Sequence, residues 1–411
     1  MKILLINELF TMGGSEIQTI REKEILRAHG HDVWHITFDR ELNYEIDPKD
    51  HKHINVKPKE TNGVIEKIKD KLYKWAIVDY EYQKQLISII EKINPDIIHL
   101  NVNNYKQITL YDTLSKYTSI QTIRDFSAVC PSYLCVDLEY KTCQGFCYSN
   151  CLRKCIPNDS LRDKMRFILK RWNIQRVNKY HNKAICVNLC PSKCLSNVCT
   201  QNGLPTECLN NSFDFSILSG FEKSTDFEKK IYLVYGFVAE HKGIRQIIRA
   251  FNDFSQNKHV ELHIIGKIQK EFENDFNKMV TENPKIKYLN RMEYKDIIKY
   301  LEKVYAVIVP SLWLENYPNT ALEGLATRCL VLGANRGGIP ELINDDRFAF
   351  NILNNEDIIN KLENSYTLTE CEYQKIVEAN YQRVISNNNL EKYYERIMKV
   401  FSRTLFKGEN E

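Results

Sequence analysis

Nothing constrains the fold of this chain more than its alternation of short apolar runs with helical stretches. The first hundred residues give "KILLIN", a helical stretch from Gly14 to Ala28, "DVWHITF", a long amphipathic stretch and "PDIIHLN". Apolar runs bounded by such helical stretches read as strands of a parallel sheet, covered on both faces by the helices between them. A second series begins at "IYLVYGFV" and continues through "VELHIIG", "IKYLNRM", "YAVIVPS" and "CLVLGAN". At 411 residues the chain exceeds the size at which a single core stops growing, so the two series predict two doubly wound α/β domains in tandem.

The polar, turn-rich stretch "ECLNNSFDFSILSGFEKSTDFEKK" divides the two series. It places a first domain over residues 1–215 and a second over 216–387. The tail, residues 388–411, carries "NLEKYYERIMKVF", with apolar positions at helical spacing, and is expected to pack back on the first domain. Open parallel sheets bind ligands at the carboxyl ends of their strands, so the loops after strands, facing a central cleft, are where chemistry is expected.

Composition narrows the function classes. A hydrophobic content of 43% with 27% charged residues suits a soluble globular protein, and a formal charge of +4 is too small to imply a nucleic-acid partner. In "MKILLINELF" the apolar run from Ile3 to Ile6 stops at Asn7 and Glu8, which reads as a first strand rather than a signal peptide. No stretch offers ~18 uninterrupted apolar residues, so no transmembrane helix is expected. The expected location is cytoplasmic, with room for attachment to the inner face of the membrane.

Three loops carry candidate chemistry. After the first strand, Gly13 and Gly14 precede a helix opened by Ser15 and Glu16; glycines admit close backbone approach and a helix start suits an anion, though a plain tight turn fits as well. In "YGFVAEHKGIRQIIRAF", Gly236 ends a strand and Lys242-Gly243 opens the next helix. Lys242 at that loop can neutralise a diphosphate, or be a solvated surface lysine. The stretch "SLWLENYPNTALEGLATR" puts Glu315 in a loop, then Tyr317 and Pro318, then a helix that Asn319 or Thr320 is expected to cap, with amides as far as Ala321 turned to phosphate oxygens. Glu323 follows inside the helix. Carboxylates accept hydrogen bonds from vicinal hydroxyls, so the pair can hold a sugar and a ribose at the two ends of one diphosphate; taken alone, Glu323 reads equally as a solvent-facing helix residue.

Taken in order, Gly236 with Lys242-Gly243, then "VPSLWLENYPNTALEGLA" with Glu315 and Glu323 in an E-x7-E frame, then "GANRGGIPELI" with Gly337, Gly338, Pro340 and Glu341, resemble a retaining glycosyltransferase of family 4. Gly13-Gly14-Ser15-Glu16 and "PDIIHLN" resemble that family's first domain. The resemblance implies the GT-B fold: two Rossmann-like doubly wound domains facing a central cleft. It implies that Glu315 contacts the donor sugar, Glu323 the ribose, and Lys242 the departing diphosphate. Gly14, Gly236, Tyr317, Pro318 and the amides of Asn319, Thr320 and Ala321 would complete the donor site. Transfer would be front-face with retention of anomeric configuration and no essential divalent ion or other cofactor. The donor would be a UDP- or GDP-sugar and the acceptor a glycan or lipid-linked glycan, in surface polysaccharide biosynthesis. A nucleotide-sugar epimerase and a non-catalytic GT-B scaffold are the rival readings.

Two positions depart from the family pattern. Phe237 stands where relatives usually carry an arginine, which removes one cationic diphosphate contact; Arg245, one turn beyond Lys242, is the candidate to compensate. Where many relatives have a histidine before an aspartate, this chain reads "TIRDFS", with Arg124 and Asp125, and Arg124 is a candidate for phosphate or acceptor binding.

Thirteen cysteines include ten between Cys130 and Cys199. In the insert spanning about 130–155, Cys143, Cys147, Cys151 and Cys155 recur at steps of four. A structural zinc, disulfides within the insert and buried thiols all fit that spacing. Downstream, "SLRDKMRFILKRWNIQRVNKYHNK" mixes Lys and Arg with Phe167, Ile168, Leu169 and Trp172. It reads either as a domain-packing helix with a charged outer face or as a basic amphipathic helix for an anionic lipid surface.

Overall fold

The fold is seen in a computed structural model that describes residues 1–10, 13–57, 72, 77–101, 106–143, 148–156 and 160–408. The chain forms two compact units. The first comprises Met1–Leu138, Gln144–Ser212 and Leu390–Glu411, the second Glu139–Cys143 and Phe213–Asn389.

The sheet of the first unit contains β1 (Lys2–Ile6), β2 (Asp32–Thr37), β3 (Ile46–Asp47), β4 (Asp50–Asn55), β5 (Ile97–Leu100), β6 (Ser119–Thr122), β7 (Val187–Cys190) and β8 (Glu207–Cys208). Their order is β3-β4-β2-β1-β5-β6-β7-β8, and every neighbouring pair is parallel except β3 with β4 at the edge. Strand β1 shows why "KILLIN" reads as a strand buried on both sides. Side chains alternate across the pleat, sending Leu4 and Ile6 into a cluster with Leu86, Ile90 and Ile108, and Ile3 and Leu5 into another with Leu26. The second cluster is closed by Tyr393, Ile397, Val400 and Phe401 of the last helix, Leu390–Gly408.

The second unit is a six-stranded parallel sheet of β9 (Lys230–Tyr235), β10 (Val260–Ile265), β11 (Ile286–Tyr288), β12 (Ala306–Val309), β13 (Leu330–Ala334) and β14 (Ala349–Phe350). Its order, β11-β10-β9-β12-β13-β14, is the doubly wound order in which the chain winds outward in one direction from β9 and then in the other from β12. Between these two strands the direction of winding reverses. The loops that leave β9 and β12 therefore diverge to opposite faces and open a crevice at the strand ends, which is where Gly236, Lys242 and Glu315 lie.

Candidate donor site of the second unit

Loop conformation brings the site together before any side chain does. Gly236 ends β9 at φ +119°, and the short helical turn Glu240–Lys242 stops at Gly243, held at φ +73°. A Cβ on Gly243 would lie 1.8 Å from the carbonyl oxygen of Pro310, just past β12, so only glycine permits this approach. The Leu312 amide donates to the His241 carbonyl at 3.0 Å, which ties the two loops. From the other side Gly337, at φ +60°, is packed so closely that a Cβ would fall 1.9 Å from the Glu315 carbonyl oxygen; the Gly338 amide donates to that oxygen at 2.7 Å. The backbone of Glu315 is thus held by the "RGG" turn.

The side chain of Glu315 is the electrostatic centre. Its carboxylate accepts from Lys242 Nζ at 2.5 Å, Ser311 Oγ at 2.7 Å and Trp313 Nε1 at 2.7 Å. Burial alone would raise its pKa; the Lys242 charge and hydrogen bond, with Ser311 and Trp313, outweigh it and hold the carboxyl below its usual value. Lys242 Nζ also lies 4.6 Å from the centre of the Trp313 ring. The Lys242 side chain keeps 26% of its accessible surface, which leaves it open to an incoming anion. The arrangement offers a partly buried carboxylate for hydroxyl groups and, beside it, a positioned cation for charge that develops on a leaving oxygen.

Glu323 lies in the helix Asn319–Ala326 and is 4% exposed, which sets aside the solvent-facing alternative. Its two carboxylate oxygens accept separately, from Tyr235 Oη at 2.8 Å and Tyr294 Oη at 3.2 Å. Tyr235 comes from the end of β9; burial first, then the Glu323 charge, pushes its phenol pKa well up, keeping it a donor. A carboxylate has lone pairs beyond these two, and hydroxyl partners of this kind yield readily to a diol.

Other sequence-predicted residues are placed differently from expectation. The helix start is capped by Pro318, in an extended conformation and with no side-chain hydrogen bond, so neither Asn319 nor Thr320 is the cap; both are its first residues. Proline presets the backbone for the turn into the helix. The Ala321 amide, expected to face a phosphate, donates instead to the Pro318 carbonyl at 3.1 Å. Tyr317 is a core residue, 8% exposed, whose hydroxyl accepts from Asn388 Nδ2 at 3.0 Å. Arg245, the candidate to compensate for Phe237, is paired with Asp275 at 2.8 Å and Glu240 at 3.6 Å. Phe237 is itself 48% exposed.

Gly14 lies in the first unit, as the first residue of the helix Gly14–Ala28, which no side chain caps; Ser15 Oγ donates to Glu16 Oε2 at 2.7 Å. Arg124 donates to Asn101 Oδ1 at 3.0 and 3.3 Å and to Asn211 Oδ1 at 2.7 Å, joining the end of β5 to the chain beyond β8, while Asp125 caps the turn Phe126–Ala128. In the cysteine insert, Cys130 and Cys135 are hydrogen-bonded through their thiols, as are Cys151 and Cys155. Cys147 lies outside the described residues, and among the described residues no three His, Cys, Asp or Glu side chains are arranged to hold a metal ion. The residues that sequence reasoning missed are Ser311, Trp313, Tyr235 and Tyr294. The first two sit within four positions of Glu315 and were legible as polar neighbours; the tyrosines are far off in sequence and carried no signal.

Residues 220–401 match the family model described as glycosyl transferases group 1. No curated protein sequence matches the chain. Among solved structures, a sucrose-phosphate synthase from Thermosynechococcus elongatus superposes with a TM-score of 0.72 at 13% identity, covering 99% of each chain. A glycosyltransferase from Rickettsia africae gives 0.71 at 17% identity, covering 98% of each. HepE from Anabaena, solved in complex with UDP-glucose, gives 0.67 at 14% identity, covering 98% of this chain and 99% of that one. Across its length, then, the chain has the GT-B fold of two Rossmann-like units, and over residues 220–401 it carries the sequence pattern of glycosyl transferases group 1.

Proposed function

We propose that the protein is a retaining glycosyltransferase that moves a sugar from a UDP- or GDP-sugar to a glycan or lipid-linked glycan acceptor in surface polysaccharide biosynthesis. The observation that carries this reading is the pairing of partly buried Glu315 with Lys242 at the reversal point of the second sheet, eight residues ahead of buried Glu323. In this reading Glu315 binds the hydroxyls of the donor sugar, Lys242 draws charge from the diphosphate as the glycosidic bond breaks, and Glu323 exchanges a tyrosine hydroxyl for the ribose diol. The proton of the acceptor hydroxyl leaves on the departing diphosphate oxygen, and no metal ion is required. HepE, with the same fold, has been solved with UDP and with UDP-glucose, which supports a nucleotide-sugar donor.

Glu323→Gln removes one acceptor while keeping size. It should raise KM for the donor at least tenfold with little change in melting temperature. Calorimetry against UDP- and GDP-sugars identifies the donor, and NMR of the product reads the anomeric configuration. Unchanged donor affinity in the variant would remove Glu323 from the site, and an inverted product would overturn retention. A second reading, a GT-B scaffold without catalysis, draws on exposed Phe237 and on the commitment of Arg245 to acidic neighbours. It predicts no heat with any activated sugar.

A further inference from the structure

The helix Leu161–Ala184 of the first unit keeps one side inward along its length and carries a second, apolar stripe that is exposed. In its last turns Val177, His181 and Ala184 face inward. In its first turns five apolar side chains lie on the opposite, outer side: Leu161, Met165, Ile168, Leu169 and Trp172 are 76%, 57%, 37%, 60% and 49% exposed. Their spacing of four, three, one and three places all five on one helical stripe. Continuing that stripe toward the carboxyl end come Arg176, Lys179 and Lys183, with the Arg176 guanidinium 5.3 Å from the centre of the Trp172 ring. The whole helix carries eight Lys and Arg against one acid, Asp163. Scattered exposed apolar residues need no explanation; a contiguous stripe of five, followed by cations on the same side, does.

We infer that this helix docks the protein on an anionic lipid bilayer, with the stripe from Leu161 to Trp172 inserted at the headgroup boundary and Arg176, Lys179 and Lys183 on lipid phosphates. Charge complementarity selects the occupant. A second copy of this chain would bring the same cations against themselves, whereas an anionic membrane satisfies both halves of the stripe, and tryptophan suits the boundary between headgroup and acyl chain. The inference stands apart from the proposed chemistry, since it uses no residue of the donor site.

The test is co-sedimentation of the full chain with vesicles of phosphatidylcholine alone or with phosphatidylglycerol. The expected result is binding at least tenfold tighter to the anionic vesicles, weakened by added salt. Leu161→Ser with Leu169→Ser and Trp172→Ser should lower that binding at least tenfold, as should Lys179→Glu with Lys183→Glu. Because the substituted side chains are largely solvent-facing, the melting temperature and nucleotide-sugar binding should be retained in both variants, separating this proposal from the donor-site reading. Absent binding to anionic vesicles overturns the inference, as does binding that survives the apolar substitutions. A concentration-dependent dimer abolished by the same substitutions would overturn it in favour of a second copy.

Discussion

At the scale of single residues, Glu315 is defined by what donates to it. An isolated carboxyl at this depth would favour its neutral form; Lys242, Ser311 and Trp313 reverse the balance. Since the folded protein holds Glu315 below the ordinary value of 4.5, its contribution to stability is fully present above pH 4.5 and is lost as the pH falls through the lower folded-state value. Glu315→Gln should therefore flatten the acid limb of stability against pH below 4.5, measured as the urea midpoint at successive pH values. A limb identical to that of the wild type would show that the carboxyl is not held ionised. Lys242 has a double role. Lys242→Ala strips the partly buried carboxylate of its cation, at a cost of roughly 1–3 kcal/mol in unfolding free energy, and should lower kcat about a hundredfold or more if the ammonium meets the leaving group. Turnover near wild type would assign the lysine to stability alone.

At the scale of elements, the site depends on loops that touch through backbone. Gly243 against Pro310 and Gly337 against Glu315 are approaches that no side chain allows, and both glycines have φ in the left-handed region. Gly337→Ala has to relieve a contact of 1.9 Å with the Glu315 carbonyl and adopt a costly conformation, so a loss of about 2 kcal/mol or more is expected, with a fall in turnover, since Glu315 must shift to make room. Differential scanning calorimetry together with steady-state rates checks both parts; an unaltered melting temperature would contradict the packing described. The resemblance of "GANRGGIPELI" to a known motif marks these glycines, but their reason, a turn packed on the backbone of Glu315, lies in a contact across more than twenty positions. The same distance hides Tyr294. Pro318 was legible as a helix start, but Asn319 and Thr320 after it have the chemistry of caps, and the cap here needs no side chain.

At the scale of the whole molecule, the last helix completes the first unit's core although it follows the second unit in sequence. Phe401 is fully buried beside Ile3, Leu5 and Ile397, and Tyr393 donates to Glu22 at 2.8 Å, itself 2.5 Å from His99. Phe401→Ala should cost about 3–5 kcal/mol in this unit. Hydrogen exchange is the measurement: amides of β1 and β5 should lose protection before those of β9 and β12, and uniform loss in both units would refute a local effect. The apolar rhythm by itself determined that both halves of the chain build parallel sheets covered by helices, because a strand buried on both faces and the helices flanking it are written in neighbouring residues. It determined as well that two carboxylates would bracket a helix start. Tertiary structure alone decided which groups meet them. Winding outward from β9 and again from β12 brings Lys242 and Glu315 together across 73 positions, and Tyr235 and Glu323 across 88. It also turned Tyr317 into the core and tied Arg245 to acids, since the depth of a side chain is set by what packs over it from elsewhere in the chain.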